Sequence, residues 1–75
     1  MTTVLMLDDH TLVRQSLVKT VDAEPEFQVV AETGDGNEAV ALATRHAPDV
    51  AVLDVSLNGT SGLEVASRMK AALPA

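Results

Sequence analysis

Three short apolar runs, each followed by a segment with helical spacing, constrain the fold of this chain more than any other feature. The runs cover residues 4–7, 27–31 and 50–53. Each is rich in β-branched or long aliphatic residues and is short enough to form a β-strand. The sequence therefore predicts three strands.

The segment after each run repeats apolar residues three or four positions apart, which is typical of one face of an α-helix. These residues are Val13, Leu17, Val18 and Val21, then Ala39, Val40, Ala43 and Ala47, then Leu63, Val65, Ala66, Met69 and Leu73. Asp35 precedes Glu38 by three residues and Ser61 precedes Glu64 by three, so two of the helices begin with a capping-box pattern. A proline, which cannot continue a helix, follows each segment: Pro25, Pro48 and Pro74. We expect three amphipathic helices.

Alternating strands and helices predict an α/β fold with a parallel sheet covered by helices on both faces. The first and third runs are wholly apolar, whereas the second includes Gln28 and Glu32 and resembles an edge strand. The expected strand order is 2-1-3, with function at the carboxyl ends of the strands.

In this order the third strand is also an edge, and residues 50–53 have no charge or proline that would prevent pairing with another chain. The sequence therefore predicts either a further strand beyond Pro74 or a homodimer formed through the third strand. We expect residues 1–75 to be the N-terminal part of one domain.

Composition excludes several classes of protein. The chain has 75 residues, 47% of them hydrophobic, a formal net charge of −6 and no cysteine. The hydrophobic fraction disfavours disorder, and the missing cysteines exclude thiol catalysis and cysteine-bound zinc. The acidic balance disfavours direct contact with nucleic acid. No apolar run approaches the length of a membrane span, so we expect a cytoplasmic protein without membrane contact.

Three carboxylates follow neighbouring strands of the expected sheet. Asp8 and Asp9 come directly after the first strand, and Asp54 comes directly after the third. Since adjacent strands lie about 4.8 Å apart, these side chains can converge on one site, where a cation such as Mg²⁺ would offset their repulsion. An aspartate can accept a phosphoryl group, and Asp54 is the better placed nucleophile. Each of the three taken alone would more often be a turn former or a helix cap.

The other polar residues are assigned structural positions rather than functional roles. His10 is interpreted as an exposed loop residue at a helix start, and His46 as a residue at a helix end. The glycines fit no phosphate-binding pattern and are assigned to turns. The arginines and the two lysines fall within helices and are expected on solvated faces.

The chain resembles the receiver domain of two-component response regulators, a flavodoxin-like (CheY-like) fold. The resemblance covers the whole chain and rests on the residues around Asp8-Asp9, the turn Gly34-Asp35-Gly36, and Asp54 with Gly62 eight positions later. The sequence of residues 8–14 is most similar to that of the LuxR-type (NarL/FixJ-like) subfamily, which joins a receiver to a DNA-binding domain.

This resemblance implies a role for each site residue. Asp54 would be the phosphoacceptor from a sensor histidine kinase and would also contact Mg²⁺. Asp9 would be a direct ligand, Asp8 a supporting ligand, and Ser56 a ligand through its backbone carbonyl. DNA would be bound through a C-terminal domain that these residues do not include. The switch Ser/Thr and the lysine of the family fall in later segments, so weak switching is expected of these 75 residues alone.

Two other hypotheses compete with a receiver. A phosphohydrolase of the haloacid-dehalogenase type also forms an aspartyl phosphate, but it needs a second aspartate two residues after the nucleophile, where this chain has Ser56. The other alternative is a non-catalytic, self-associating fragment of the receiver fold.

Overall fold

The computed structural model describes residues 1–54, 56–57 and 60–72, without the side chains of residues 56, 57, 60, 61 and 72. It contains a three-stranded sheet made of β1 (Thr2–Leu7), β2 (Phe27–Thr33) and β3 (Val50–Leu53). The strands are parallel in the order β2-β1-β3. The predicted number, direction and order of the strands are confirmed.

β1 and β2 both extend beyond the predicted apolar runs and include polar residues there. β1 begins at Thr2 rather than at residue 4, and β2 continues to Thr33 rather than ending at residue 31. A β-bulge interrupts the pairing of β1 with β2, because Val4 pairs with Val29 and Leu5 pairs with Ala31. The third strand has the predicted bounds.

Three helices follow the three strands. They are α1 (Thr11–Asp22), α2 (Gly36–His46) and α3 (Gly62–Ala72). Asp35 caps α2 as expected, although its carboxylate accepts from the N–H of Asn37 at 3.3 Å rather than from the third helical residue. α2 ends in a left-handed residue, Ala47, directly before Pro48. The side chain of Ser61, and Pro74, lie outside the described residues.

The core lies mainly on one face of the sheet. Alternate residues of a strand point to opposite faces. Leu5 and Leu7 of β1 pack with apolar residues of the second and third helices: Ala39, Ala43, Val65 and Met69. Val4 and Met6, on the opposite face, are also buried. β1 is therefore covered on both faces, as its wholly apolar sequence predicts.

The α1 side of the sheet is more open. No residue of α1 is buried, and Val13 and Leu17 are 49% and 40% exposed. Between α1 and β3 lies a cavity of about 290 Å³ whose lining includes Val4, Val21 and Val52. Val50 and Val52 are 45% and 43% exposed, so the apolar edge predicted for β3 is present in the described part of the chain.

A short antiparallel hairpin of β4 (Ser56–Leu57) and β5 (Thr60–Ser61) connects the end of β3 to α3. The sequence analysis predicted no strand in this region. The sequence does contain a hairpin signal, the Asn58-Gly59 dipeptide, which is typical of tight turns between strands.

Candidate metal centre

The register of β1 against β3 brings the predicted carboxylates to one edge of the sheet. Leu7 pairs with Leu53, so Asp8 and Asp54 leave their strands at the same level. The N–H of Asp54 donates to the carbonyl of Leu7 at 2.9 Å, and the N–H of Asp8 donates to the carbonyl of Thr33 at 3.1 Å. Backbone hydrogen bonds therefore fix the starting points of both side chains.

His10 lies among the three carboxylates. Its Nδ1 atom is 3.0 Å from Oδ1 of Asp8, 3.1 Å from Oδ1 of Asp9 and 3.4 Å from Oδ2 of Asp54. The three aspartate side chains are 13%, 14% and 22% exposed, whereas the imidazole is 66% exposed. The carboxylates thus form a partly enclosed acidic cluster, and the more exposed imidazole of His10 contacts all three of them.

The local hydrogen bonds change the acidity of two of these groups. The backbone N–H of His10 donates to Oδ1 of Asp8 at 2.8 Å, and this bond is the main reason that the pKa of Asp8 is lowered, against the opposing effect of burial. The hydrogen bond between the imidazole and Asp8 raises the pKa of His10, and the charges of Asp9 and Asp8 act in the same direction. Both shifts favour the charged forms.

The donor set fits a hard divalent cation. One ligand atom from each of Asp8, Asp9, His10 and Asp54 lies within 4.8 Å of the others. Mg²⁺ is bound in proteins by one or two carboxylates, with water and phosphate oxygens completing its shell. His10 contacts the same three carboxylates that such a cation would contact.

The outcome for the predicted site residues is mixed. Asp8, Asp9 and Asp54 lie together as expected from the strand order. Ser56 lies in β4, two residues after Asp54, and its role as a carbonyl ligand stays a prediction.

Two residues near the site were missed from the sequence. His10 is at a helix start and exposed, as interpreted, but its contacts with all three carboxylates were not expected; its adjacency to Asp9 was the available signal. Arg14 is not on a solvated face: its side chain is 17% exposed and hydrogen bonds to the backbone of Asp8. Its position one helical turn after His10 was the signal in that case.

Comparisons with known proteins identify the family of this chain. The model of the response regulator receiver domain matches residues 4–74. The transcriptional regulatory protein LiaR of Bacillus subtilis (strain 168) is 38% identical over 66 residues, which are 88% of this chain and 31% of LiaR. The DNA-binding transcriptional activator DevR/DosR of Mycobacterium tuberculosis is 42% identical over 74 residues, which are 99% of this chain and 34% of that protein.

A solved structure shows the same fold. The crystal structure of a LuxR-family two-component response regulator from Aurantimonas sp. SI85-9A1 matches with a TM-score of 0.88 and 31% identity, over 93% of this chain and 50% of that one. The chain belongs to the response regulator receiver domain family. It spans about a third of the length of the curated relatives.

Membership of this family excludes one of the hypotheses raised by the sequence. The receiver domain is a signalling domain of two-component systems and not an enzyme family, so the phosphohydrolase hypothesis is rejected. The LuxR-type resemblance is confirmed by relatives that are transcriptional regulators. Among the described helices, none is both long enough and apolar enough to cross a membrane.

Proposed function

We propose that Asp54 accepts a phosphoryl group from a sensor histidine kinase and that Asp8 and Asp9 hold the Mg²⁺ ion for this transfer. The observation that carries the proposal is the convergence of three carboxylates from β1 and β3 within one partly enclosed cluster. Asp54, directly after β3, supplies the nucleophilic oxygen. Asp9 is the direct metal ligand, Asp8 supports it, and Ser56 contributes its backbone carbonyl.

In this reaction a carboxylate oxygen of Asp54 attacks phosphorus while the bond from phosphorus to the kinase's histidine nitrogen breaks. The imidazole leaves neutral after taking a proton from solvent, and the product is an acyl phosphate on Asp54. A bound Mg²⁺ would offset the negative charge of the phosphoryl oxygens and of the nucleophile. The backbone hydrogen bond from Asp54 to Leu7 keeps the nucleophile beside the carboxylates of β1.

The same proposal places residues 1–75 as the N-terminal part of a receiver domain in a cytoplasmic transcriptional regulator. DNA binding would belong to another domain, since the net charge of −6 disfavours contact between these residues and nucleic acid. DevR/DosR, a DNA-binding transcriptional activator, is the kind of relative that supports this assignment.

We also propose that the 75-residue chain forms a homodimer through β3. Val50 and Val52 are 45% and 43% exposed on a strand that pairs with β1 on one side, and an apolar strand edge of this kind favours pairing with a second copy. Light scattering should show a dimer that Val52→Lys converts to a monomer. A stable monomer of the parent at high concentration contradicts this part of the proposal.

Intact mass after incubation with Mg²⁺ and a small phosphodonor tests the acceptor. We expect one added phosphate on the parent, none on Asp54→Asn, and one on the control Asp49→Asn, which removes an aspartate at the opposite end of β3. Phosphate on Asp54→Asn would contradict the assignment of the acceptor. No phosphate on any of the three would favour the interpretation of these residues as a structural fragment.

A further inference from the structure

Hydrogen bonds from Arg14 connect three segments around the acidic cluster. Its Nη1 atom donates to the backbone carbonyl of Asp8 at 2.7 Å, and its Nε atom donates to Oε1 of Glu32 at 3.2 Å. Arg14 belongs to α1, whereas Asp8 follows β1 and Glu32 lies near the end of β2. One side chain therefore connects the helix, the aspartate-bearing loop and the edge strand.

The turn after β2 leaves room for this arginine. A Cβ atom at Gly34 would lie 2.8 Å from Nη1 of Arg14, and 3.4 Å from both the carbonyl oxygen of Asp8 and the Cα of Asp9. The sequence interpretation assigned the glycines to turn conformations. At Gly34 the close approach of the guanidinium provides a further physical reason for glycine.

We propose that Arg14 is a positioning residue for cation binding, acting through the peptide that joins Asp8 to Asp9. This inference rests on the proposed function of the acidic cluster. The carbonyl that Arg14 holds belongs to that peptide, and a peptide group is planar, so fixing its oxygen also restrains the backbone N and Cα of Asp9, from which the Asp9 side chain extends. Glu32 fixes the guanidinium in turn.

If Arg14 acted only through its charge, its removal would have the opposite effect on Mg²⁺ affinity from a loss of positioning. A positive charge near a cation site repels the cation, so its removal would strengthen Mg²⁺ binding if charge dominated. Loss of positioning instead weakens binding. The direction of the change in affinity therefore separates the two explanations.

The test is a calorimetric titration with Mg²⁺ of the parent chain, Arg14→Ala and Arg14→Lys. We expect Arg14→Ala to bind Mg²⁺ roughly 10-fold more weakly, since losing a group that orients metal ligands commonly costs 10- to 100-fold in affinity. Arg14→Lys keeps the charge but lacks the planar fork that reaches two acceptors, so it should also bind more weakly. It provides the answer if Arg14→Ala does not fold.

Arg68→Ala is the matched control. Among the hydrogen bonds of the described residues, Nη1 of Arg68 donates to Oδ1 of Asn37 at 2.7 Å, which links α3 to α2 rather than to the Asp8–Asp9 peptide. This variant loses one positive charge and one hydrogen bond, and its Mg²⁺ affinity should not fall. A fall equal to that of Arg14→Ala would overturn the proposal.

Gly34→Ala supplies a second, independent variant. The added methyl group displaces the guanidinium, so we expect weaker Mg²⁺ binding in the parent background and a smaller further loss in Arg14→Ala. Equal losses in both backgrounds would overturn the link between Gly34 and Arg14.

Other outcomes are also decisive. Unchanged or tighter binding by folded Arg14→Ala, with normal binding by the parent, overturns this inference and leaves the proposed function intact. A lower melting temperature with unchanged affinity shows a purely structural role and overturns it as well. No Mg²⁺ binding by the parent overturns both proposals.

Discussion

Two aspartates flank β3, and the structure gives them opposite surroundings. Asp49, directly before the strand, accepts at Oδ2 from the N–H of Thr3 at 2.8 Å and from Oγ1 of Thr3 at 3.0 Å. Asp54, directly after it, lies with two other carboxylates and the imidazole of His10. One carboxylate accepts from two donors of a single residue in the neighbouring strand, whereas the other belongs to an acidic cluster.

The difference separates a carboxylate with a structural role from the proposed phosphoacceptor at the other end of the same strand. The hydrogen bonds to Thr3 lower the pKa of Asp49 and join the amino ends of β1 and β3. The cluster around Asp54 gathers negative charge, which repels itself unless a cation is bound. Asp49 is thus suited to stabilise the fold, whereas Asp54 is suited to the proposed phosphoryl transfer.

The largest effect expected from this comparison is stabilisation by Mg²⁺. Ligand binding to the folded chain at 100 times the dissociation constant adds about 2.7 kcal/mol to the free energy of unfolding. For a domain of this size we expect the melting temperature to rise by roughly 10–20 °C. Thermal unfolding followed by circular dichroism should show this rise in the parent.

Matched variants inside and outside the acidic cluster sharpen that result. Asp9→Asn should lose most of the Mg²⁺-dependent rise, because a direct ligand is gone, while Asp49→Asn should keep it. An equal rise in Asp9→Asn and the parent would contradict the assignment of Asp9 as a ligand.

A smaller effect is expected without any divalent cation. Asp54→Asn should raise the melting temperature, because one of three mutually repelling carboxylates becomes neutral. Asp49→Asn should lower it, because the charge-assisted bonds from Thr3 are weakened. Melting curves in the presence of a chelator measure the change in melting temperature of both variants. A change in the same direction in the two variants would contradict the distinction between Asp49 and Asp54.

Asp49 also predicts part of the acid sensitivity of the chain. Its pKa in the folded chain is lowered from the ordinary value of 3.8, so its stabilisation is fully present above that value and is lost as the pH falls through the lowered pKa. The difference in melting temperature between the parent and Asp49→Asn should therefore shrink as the pH falls in this range. A difference that stays constant down to the lowest pH at which the chain folds would refute the role of ionised Asp49.

The smallest effect is expected for Thr3→Val. This substitution removes Oγ1, which donates to the carboxylate of Asp49 and accepts from the N–H of that residue. It keeps the shape of the side chain and the bond from the Thr3 N–H to that carboxylate, and the N–H of Asp49 still donates to the carbonyl of Thr3. The melting temperature should fall less than in Asp49→Asn. A larger fall would show that the hydroxyl, rather than the carboxylate charge, holds this end of the sheet.

The sequence predicted the sheet well because its evidence is local and repeated. Wholly apolar runs identified β1 and β3 as strands, and the strand order then predicted the convergence of Asp8 and Asp54. The polar ends of β1 and β2 were missed because Thr2 and Thr33 fall outside the apolar runs. Their pairing depends on the neighbouring strand.

The contacts of His10 and Arg14 could not be predicted in the same way. Both lie close in sequence to Asp8, but the spacing alone does not say whether a side chain points to solvent or back to the loop. The position of Arg14 also depends on Glu32 and Gly34, which come from a different strand and its turn. Such contacts require the tertiary fold.

Backbone hydrogen bonds join β3 to β1 at both ends of β3, and this limits where residues can be inserted or deleted. The N–H of Asp49 donates to the carbonyl of Thr3 and that of Asp54 donates to the carbonyl of Leu7. A residue inserted or deleted between them would turn the side chains on one side of the change to the opposite face of the sheet. Changes in chain length should therefore be rejected between residues 49 and 54.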